Sequence, residues 1–246
     1  AAGRPAPLSA VTPSASAGEY TAVPNDTIRK SIAARMLASM QGMAQFTMHA
    51  HFDASQLLSW RERHNQAMPP EEKLTINDLL AFAVSRVLPD FPRLNAHFHD
   101  GQTLLFSRVN LGIAVDTPRG LLVPTLRGAD TKSLAALSLE IKTLAQRCRE
   151  GKALPEDLSD GTFTISNIGA YSVDYFTPII NPPQTAILGI GAPGYERKKT
   201  AEGMTDYPAI YLSLTADHRA VDGAPGAAFL KALCDRLENF PLLLAG

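Results

Sequence analysis

Asp217-His218-Arg219-Ala220-Val221-Asp222-Gly223 joins two segments of opposite character. Before it, Ala209-Ile210-Tyr211-Leu212-Ser213-Leu214-Thr215 predicts a strand over about 208–215. After it, a helical pattern runs from Ala224 to about Asn239. A histidine is thereby fixed where a strand ends and a turn begins, and Gly223 gives the turn backbone freedom. Catalytic groups concentrate at such loops on a rigid scaffold. Histidine is also the side chain best suited to proton transfer near neutral pH.

Working outward, helices are predicted over about 26–41, 55–67, 75–88 and 133–150. Asn25 or Asp26 caps the first, Ser55 the second and Ser133 the last, which Gly151 stops. Thr75 and Asp78 have capping-box spacing, with Asp in place of Glu. Ile28, Ile32, Met36, Leu37 and Met40 form an apolar stripe on the first helix, and Arg29, Lys30 and Arg35 lie off it. Gln45 to Phe52 alternates with period two, placing His49 and His51 opposite Phe46, Met48, Ala50 and Phe52. Further strands are expected at about 104–106, 109–116, 121–125, 162–166 and 185–190. Helices and strands mix without strict alternation, so the fold class is α/β with a mixed sheet covered by helices, not a doubly wound parallel sheet.

Residues 1–19 read differently. Their Ala, Pro, Ser and Gly cannot bury enough apolar surface to offset ordering entropy, so 1–19 is read as a linker and 20–246 as one folded domain. The 246 residues are 45% hydrophobic with a net charge of -1, which gives no global field for nucleic acid or an anionic membrane. No apolar run is long enough to span a bilayer. Cys148 and Cys234 stand alone, as reduced thiols do in a reducing compartment.

Several patterns invite chemistry. Ser166 ends the strand Thr162-Phe163-Thr164-Ile165-Ser166, which runs into the Gly169 turn. With His218 it can form a Ser-His nucleophile pair. Alternatively, its hydroxyl donates to an oxyanion while the histidine activates another nucleophile. Asp222 either caps the last helix or orients His218 or Arg219. Gly189-Ile190-Gly191-Ala192-Pro193-Gly194 matches GxGxxG, but Pro193 and the segment after it open no helix, so it is a strand end and hairpin connection rather than a dinucleotide site. The pairs His49/His51 and His97/His99 lack an acidic or thiol partner at ligand spacing, so no metal is expected; the second pair is read as lying in a polar loop.

The run His218-Arg219-Ala220-Val221-Asp222-Gly223 resembles the His-Arg-x-x-Asp-Gly signature of dihydrolipoamide acyltransferases, the core components of 2-oxo acid dehydrogenase complexes. Four more stretches are similar to that family in the same order: Ile28 to Met40, Leu111 to Pro124, Phe163 to Gly169, and Phe176 to Gly189. The resemblance implies a chloramphenicol acetyltransferase-like fold, a central mixed β-sheet flanked by helices. It implies homotrimers with active sites between subunits, assembled into hollow cores. It also implies lipoyl and peripheral-subunit-binding domains upstream, and through them decarboxylase and dihydrolipoamide dehydrogenase partners. On the matching positions, His218 is the general base, Ser166 stabilises the oxyanion, and Asp222 supports them as a partner of Arg219 or a cap. The basic group Arg29, Lys30 and Arg35 reads as a solvated helix face that could also meet a ligand phosphate, and with coenzyme A as substrate Arg29 and Lys30 are the expected phosphate contacts. Coenzyme A and the lipoyl group are then the thiol substrates, with no metal.

Acetyl is the expected acyl group, with an acetoin-cleaving system as the alternative and a non-catalytic scaffold of the same fold as the rival class. The expected location is bacterial cytoplasm, or the mitochondrial matrix in a eukaryote. The chain departs from many relatives at Ala44-Gln45, where Pro-His precedes the first strand's aromatic.

Overall fold

A computed structural model of the chain describes residues 18–201 and 203–244. The predicted linker falls outside the described residues through Ala17, while Gly18 and Glu19 are irregular and exposed. In chain order the elements are α1 (Thr27–Gly42), β1 (Gln45–Asp53), α2 (Ser55–Gln66), α3 (Ile76–Val87), β2 (Ala96–His99), β3 (Gln102–Leu105), β4 (Leu111–Ile113), β5 (Thr125–Leu126) and α4 (Leu134–Arg149). They continue with β6 (Phe163–Asn167), β7 (Ala186–Thr200), β8 (Gly203–Asp217), α5 (Gly223–Glu238) and α6 (Phe240–Leu243).

The local helix signals act as expected at three starts. Asp26 accepts from the Arg29 amide at 2.7 Å. Thr75 and Asp78 form both bonds of the capping box, and Ser133 caps α4 through the Ala136 amide. Ser55 does not cap α2. It is the first helical residue, and Asp53 Oδ1 accepts from its amide at 3.0 Å, because Asp53 closes β1 immediately upstream.

Six strands form one sheet in the order β1-β8-β7-β6-β4-β5. β4, β6 and β7 run parallel and the remaining pairs antiparallel, so the sheet is mixed as expected. One face packs on the helices through Phe52, Leu80, Phe163, Leu188, Leu214 and Phe229, all essentially without solvent exposure. Burying these side chains stabilises the layer by roughly 1.5–3 kcal/mol each before entropy is subtracted. α5 crosses β1 closely at Gly226, where a Cβ would stand 2.4 Å from Met48 Cε.

The other face is polar where β1 meets β8. Thr47 and Thr215 hydroxyls lie 2.8 Å apart, and His49 Nδ1 lies 2.9 Å from Ser213 Oγ. Over β7 this face carries the segment between β6 and β7. A Cβ on Gly191 would overlap Asp174 O at 1.8 Å, and one on Gly189 would meet the Phe176 ring at 2.7 Å. The glycines of the apparent GxGxxG pattern therefore permit a close chain crossing.

Three strand expectations need correction. β2 and β3 form a separate two-stranded ribbon, so His97 and His99 lie on a strand and not in a polar loop. Its turn is Asp100-Gly101, both at positive φ, as a two-residue hairpin requires. The expected hairpin over 109–116 and 121–125 shrinks to β4, β5 and one bridge between Val115 and Leu122. β7 and β8 are longer than expected because, after a register shift between Ile190 and Pro193, they continue as a ladder to Thr200 and Gly203.

Candidate active site

His218 is the first residue beyond β8. Its amide donates to Ala44 O at 2.9 Å, which pins the turn to the start of β1. Its ring rests 4.7 Å from the Phe46 ring, and 55% of the side chain is exposed. Nδ1 faces Asp222 Oδ1 at 3.7 Å, beyond hydrogen-bond length. Asp222 sits at the N-cap position of α5, yet its side chain makes no capping bond. Nor is it the partner of Arg219: that guanidinium is held by Asp217, with Nη2 to Oδ2 at 2.6 Å. Two residues of separation at a strand end let Asp217 reach it, while Asp222 has already turned outward into solvent.

Ser166 lies near the end of β6, half-buried. In the ladder it stands beside Gly189, which stands beside Ser213. His218 follows Ser213 by five residues, one beyond the end of β8, which runs antiparallel to β6. At about 3.3 Å per residue and about 4.8 Å per strand, roughly 15–20 Å separates the two residues. Both point to chemistry, but one chain does not bring them together. Next to Ser166 on the same face is the Phe176 ring, seated over Gly189. An open groove of about 490 Å³ adjoins this strand end, lined by Arg61, Asn77, Asn167, Gly169 and Ile190 among others.

Arg29 and Lys30 are exposed in the first turn of α1, where Arg29 Nη2 would come within 3.7 Å of a Cβ on Gly120. Gln45, at the start of β1, forms an amide clasp. Its Nε2 donates to Ser39 Oγ at 2.9 Å and its Oε1 accepts from the Ile180 amide at 3.2 Å. This fixes α1 to the segment that leads from Phe176 into β7. The sequence marked Ala44-Gln45 as a departure but gave no sign of Phe176, which sits over a glycine of a later strand, or of the Asp217 carboxylate, which turns back on Arg219.

The histidine pairs do not converge. His49 meets Ser213, His51 meets Tyr207, His97 donates to Gly161 O at 2.8 Å, and His99 faces Asp100. Among the described residues no three His, Cys, Asp or Glu side chains form a metal-binding group. Burial raises the Cys148 thiol and pushes Cys234 up to about 12. Both are therefore protonated at neutral pH and poor acyl acceptors.

The arrangement, a histidine at one strand end and a free serine hydroxyl at the opposite end, suits proton removal from an external nucleophile and stabilisation of an oxyanion. Comparison with known proteins places it in context. The family model described as 2-oxoacid dehydrogenases acyltransferase (catalytic domain) matches residues 17–245. A Rickettsia bellii protein named as the dihydrolipoyllysine-residue acetyltransferase component of pyruvate dehydrogenase complex is 37% identical, over 92% of this chain and 54% of its own length. The corresponding component of the acetoin cleaving system of Bacillus subtilis is 41% identical, over 88% of this chain and 55% of its own. The chain thus spans about half the length of the curated relatives it matches. Among solved structures, Azotobacter vinelandii dihydrolipoamide acetyltransferase superposes with a TM-score of 0.90 at 30% identity, covering 96% of this chain and all of that one. That structure belongs to a study of the role of a serine, a histidine and an asparagine in its catalytic mechanism. By sequence and by fold, the chain belongs to the 2-oxoacid dehydrogenase acyltransferase catalytic-domain family.

Proposed function

We propose that the chain is an acetyltransferase core that exchanges an acetyl thioester between a lipoyl thiol and coenzyme A, within a pyruvate-type 2-oxo acid dehydrogenase complex. One observation carries this reading. The serine and histidine studied in the Azotobacter enzyme have the same separation along the chain as Ser166 and His218. Its asparagine lies four residues beyond the histidine, where this chain has Asp222.

In this mechanism His218 Nε2 takes the thiol proton, since Nδ1 faces Asp222. The thiolate sulfur bonds to the thioester carbonyl carbon, and Ser166 Oγ–H donates to the oxyanion. Collapse expels the second thiolate, which takes the proton back from the imidazolium. One C–S bond forms, one breaks, and nothing is oxidised. Arg29 and Lys30 are assigned to the coenzyme A phosphates, and the Asp222 carboxylate supports the imidazolium. The test is acetyl transfer from acetyl-coenzyme A to dihydrolipoamide by the purified core. Absence of turnover with dihydrolipoamide, beside turnover with a small alcohol, would replace this reading by that of a free-standing acyltransferase. The acetoin-cleaving alternative is favoured by the 41% identity to the Bacillus component and involves the same core reaction. It separates by which decarboxylase the longer protein recruits.

Because Ser166 and His218 stand at opposite ends of one sheet, the working site is assigned to the contact between two subunits of a homotrimer. The uncovered surface supports this. On α1, Leu37 and Met40 are 58% and 55% exposed although they belong to the apolar stripe. Beyond the trimer, α6 presents Leu242 at 72% exposure as a contact for a larger core. Leu242→Asp is expected to stop assembly at the trimer without loss of transfer; sedimentation showing unchanged large particles would contradict it. Lipoyl domains, the decarboxylase and dihydrolipoamide dehydrogenase are partners inferred for the longer protein. We assign it to the cytoplasm of a bacterium, or to the matrix of a mitochondrion.

Acetyl preference follows from Phe176. In-register pairing puts its ring next to the Ser166 hydroxyl, where it bounds the space for the acyl chain. Phe176→Ala is expected to raise kcat/KM for isobutyryl- relative to acetyl-coenzyme A by about 10–200-fold, the usual worth of one or two methylene-sized contacts. An unchanged ratio would place the acyl pocket elsewhere.

A further inference from the structure

We propose that Arg219 is a positioning residue for the general base, seated by Asp217 and Phe98, and that it sets the backbone from which His218 works. This rests on the transferase reading above. His218 lies between two residues that are clamped to each other. Asp217 is wholly buried, and its carboxylate accepts from Arg219 Nε at 3.0 Å, from Nη2 at 2.6 Å and from the Arg219 amide at 3.1 Å. The same carboxylate reaches the Ala44 amide at 3.3 Å, beside the Ala44 carbonyl that holds the His218 amide. A strand end, the start of β1 and the histidine thus share one buried acid.

The guanidinium also leaves the turn. Its Cζ stands 4.3 Å from the Phe98 ring centroid, on the β2–β3 ribbon. That ribbon is anchored in turn, because the Phe98 amide donates to Pro183 O at 2.9 Å and Thr185 O accepts from the Asp217 amide at 2.9 Å. Arg93 Nη1 also donates to Ala220 O at 3.3 Å. Arg219 is therefore the side chain that closes a ring of contacts around the His218 turn.

The imidazole itself makes no hydrogen bond to a described residue; the Phe46 ring and the 3.7 Å approach of Asp222 are its recorded neighbours. Its placement must come from the backbone. A planar fork is needed for two bonds to one carboxylate and for stacking on an aromatic face, and lysine supplies neither. Lysine does keep a positive charge against the buried acid, so Arg219→Lys avoids an uncompensated buried carboxylate and is expected to fold.

The test measures acetyl transfer by assembled cores of the native chain, R219K and R219A. A misplacement of about 1 Å at a reacting group costs on the order of 10²-fold, so kcat is expected to fall about 100-fold in R219A and about 10-fold in R219K. KM for acetyl-coenzyme A and for dihydrolipoamide should stay within about two-fold, the sign of an interaction expressed only in the transition state. Millimolar guanidinium should restore part of the kcat of R219A and none of that of H218A. An R219K core with native kcat overturns the proposal, as does a loss that follows only the unassembled fraction or appears only in KM. A native core inert toward both thiols would remove the transferase reading and this inference with it. Native turnover beside an unimpaired R219K removes the inference alone.

Discussion

We expect His218→Ala to abolish thioester exchange while leaving the fold and the assembly in place. General acid–base catalysis contributes up to about 10⁴-fold, and in the proposed mechanism one group serves both half-steps. We expect kcat to fall by about 10³–10⁴, close to 4–5.5 kcal/mol of transition-state stabilisation. Among the described residues the acid paired with its ring is Asp222, at 3.7 Å from Nδ1 and 83% exposed. The structural cost is small because the imidazole is half-exposed and its one recorded ring contact is with Phe46. Removing such a side chain changes stability by about 0.5 kcal/mol or less. The alanine variant should therefore show native melting and native particle size beside its lost turnover. Turnover within ten-fold of native would rule out His218 as the base.

The same residues show what a sequence can disclose. Helix starts were legible because capping is local: Asp26, Ser133 and the Thr75–Asp78 pair each bond within three residues. The place of His218 at a strand end was legible for a similar reason, at the junction of two periodicities, while its role as general base was implied by the family resemblance. The ribbon of β2 and β3 was missed although Asp100-Gly101 is a hairpin signal, because each strand is only four residues long. Asp217 reads as the first residue of the junction after an apolar strand, and nothing in that pattern shows its carboxylate turning back to Arg219. Phe176 gains its meaning from Gly189, and that pairing depends on a parallel register set by long-range contacts. The α1 stripe has the periodicity of a core helix, yet Leu37 and Met40 remain exposed. Periodicity identifies a surface that must be covered and is silent on whether the cover is the same chain.

The second large effect separates a site within one chain from a site between chains. Ser166→Ala removes one oxyanion donor, a loss of about 10²–10³ in rate, and His218→Ala removes the base. In the proposed trimer each site takes its histidine from one subunit and its serine from the next. A subunit carrying only H218A still offers a native serine, and a subunit carrying only S166A still offers a native histidine. When the two variants are co-expressed in equal amounts and assemble at random, about one contact in four joins the two native groups in a cyclic trimer. Activity should then return to about a quarter of native, from parents that each retain about 1% or less. Mixing the finished cores should restore far less, because preformed assemblies exchange subunits only as fast as they dissociate. If both groups acted from one chain, every site in the mixed core would lack one of them, and its activity would equal the mean of the parents. The roughly 15–20 Å between Ser166 and His218 in the folded chain is the physical reason to expect recovery, since no side-chain rotation closes that gap within a sheet whose register is fixed across three strands.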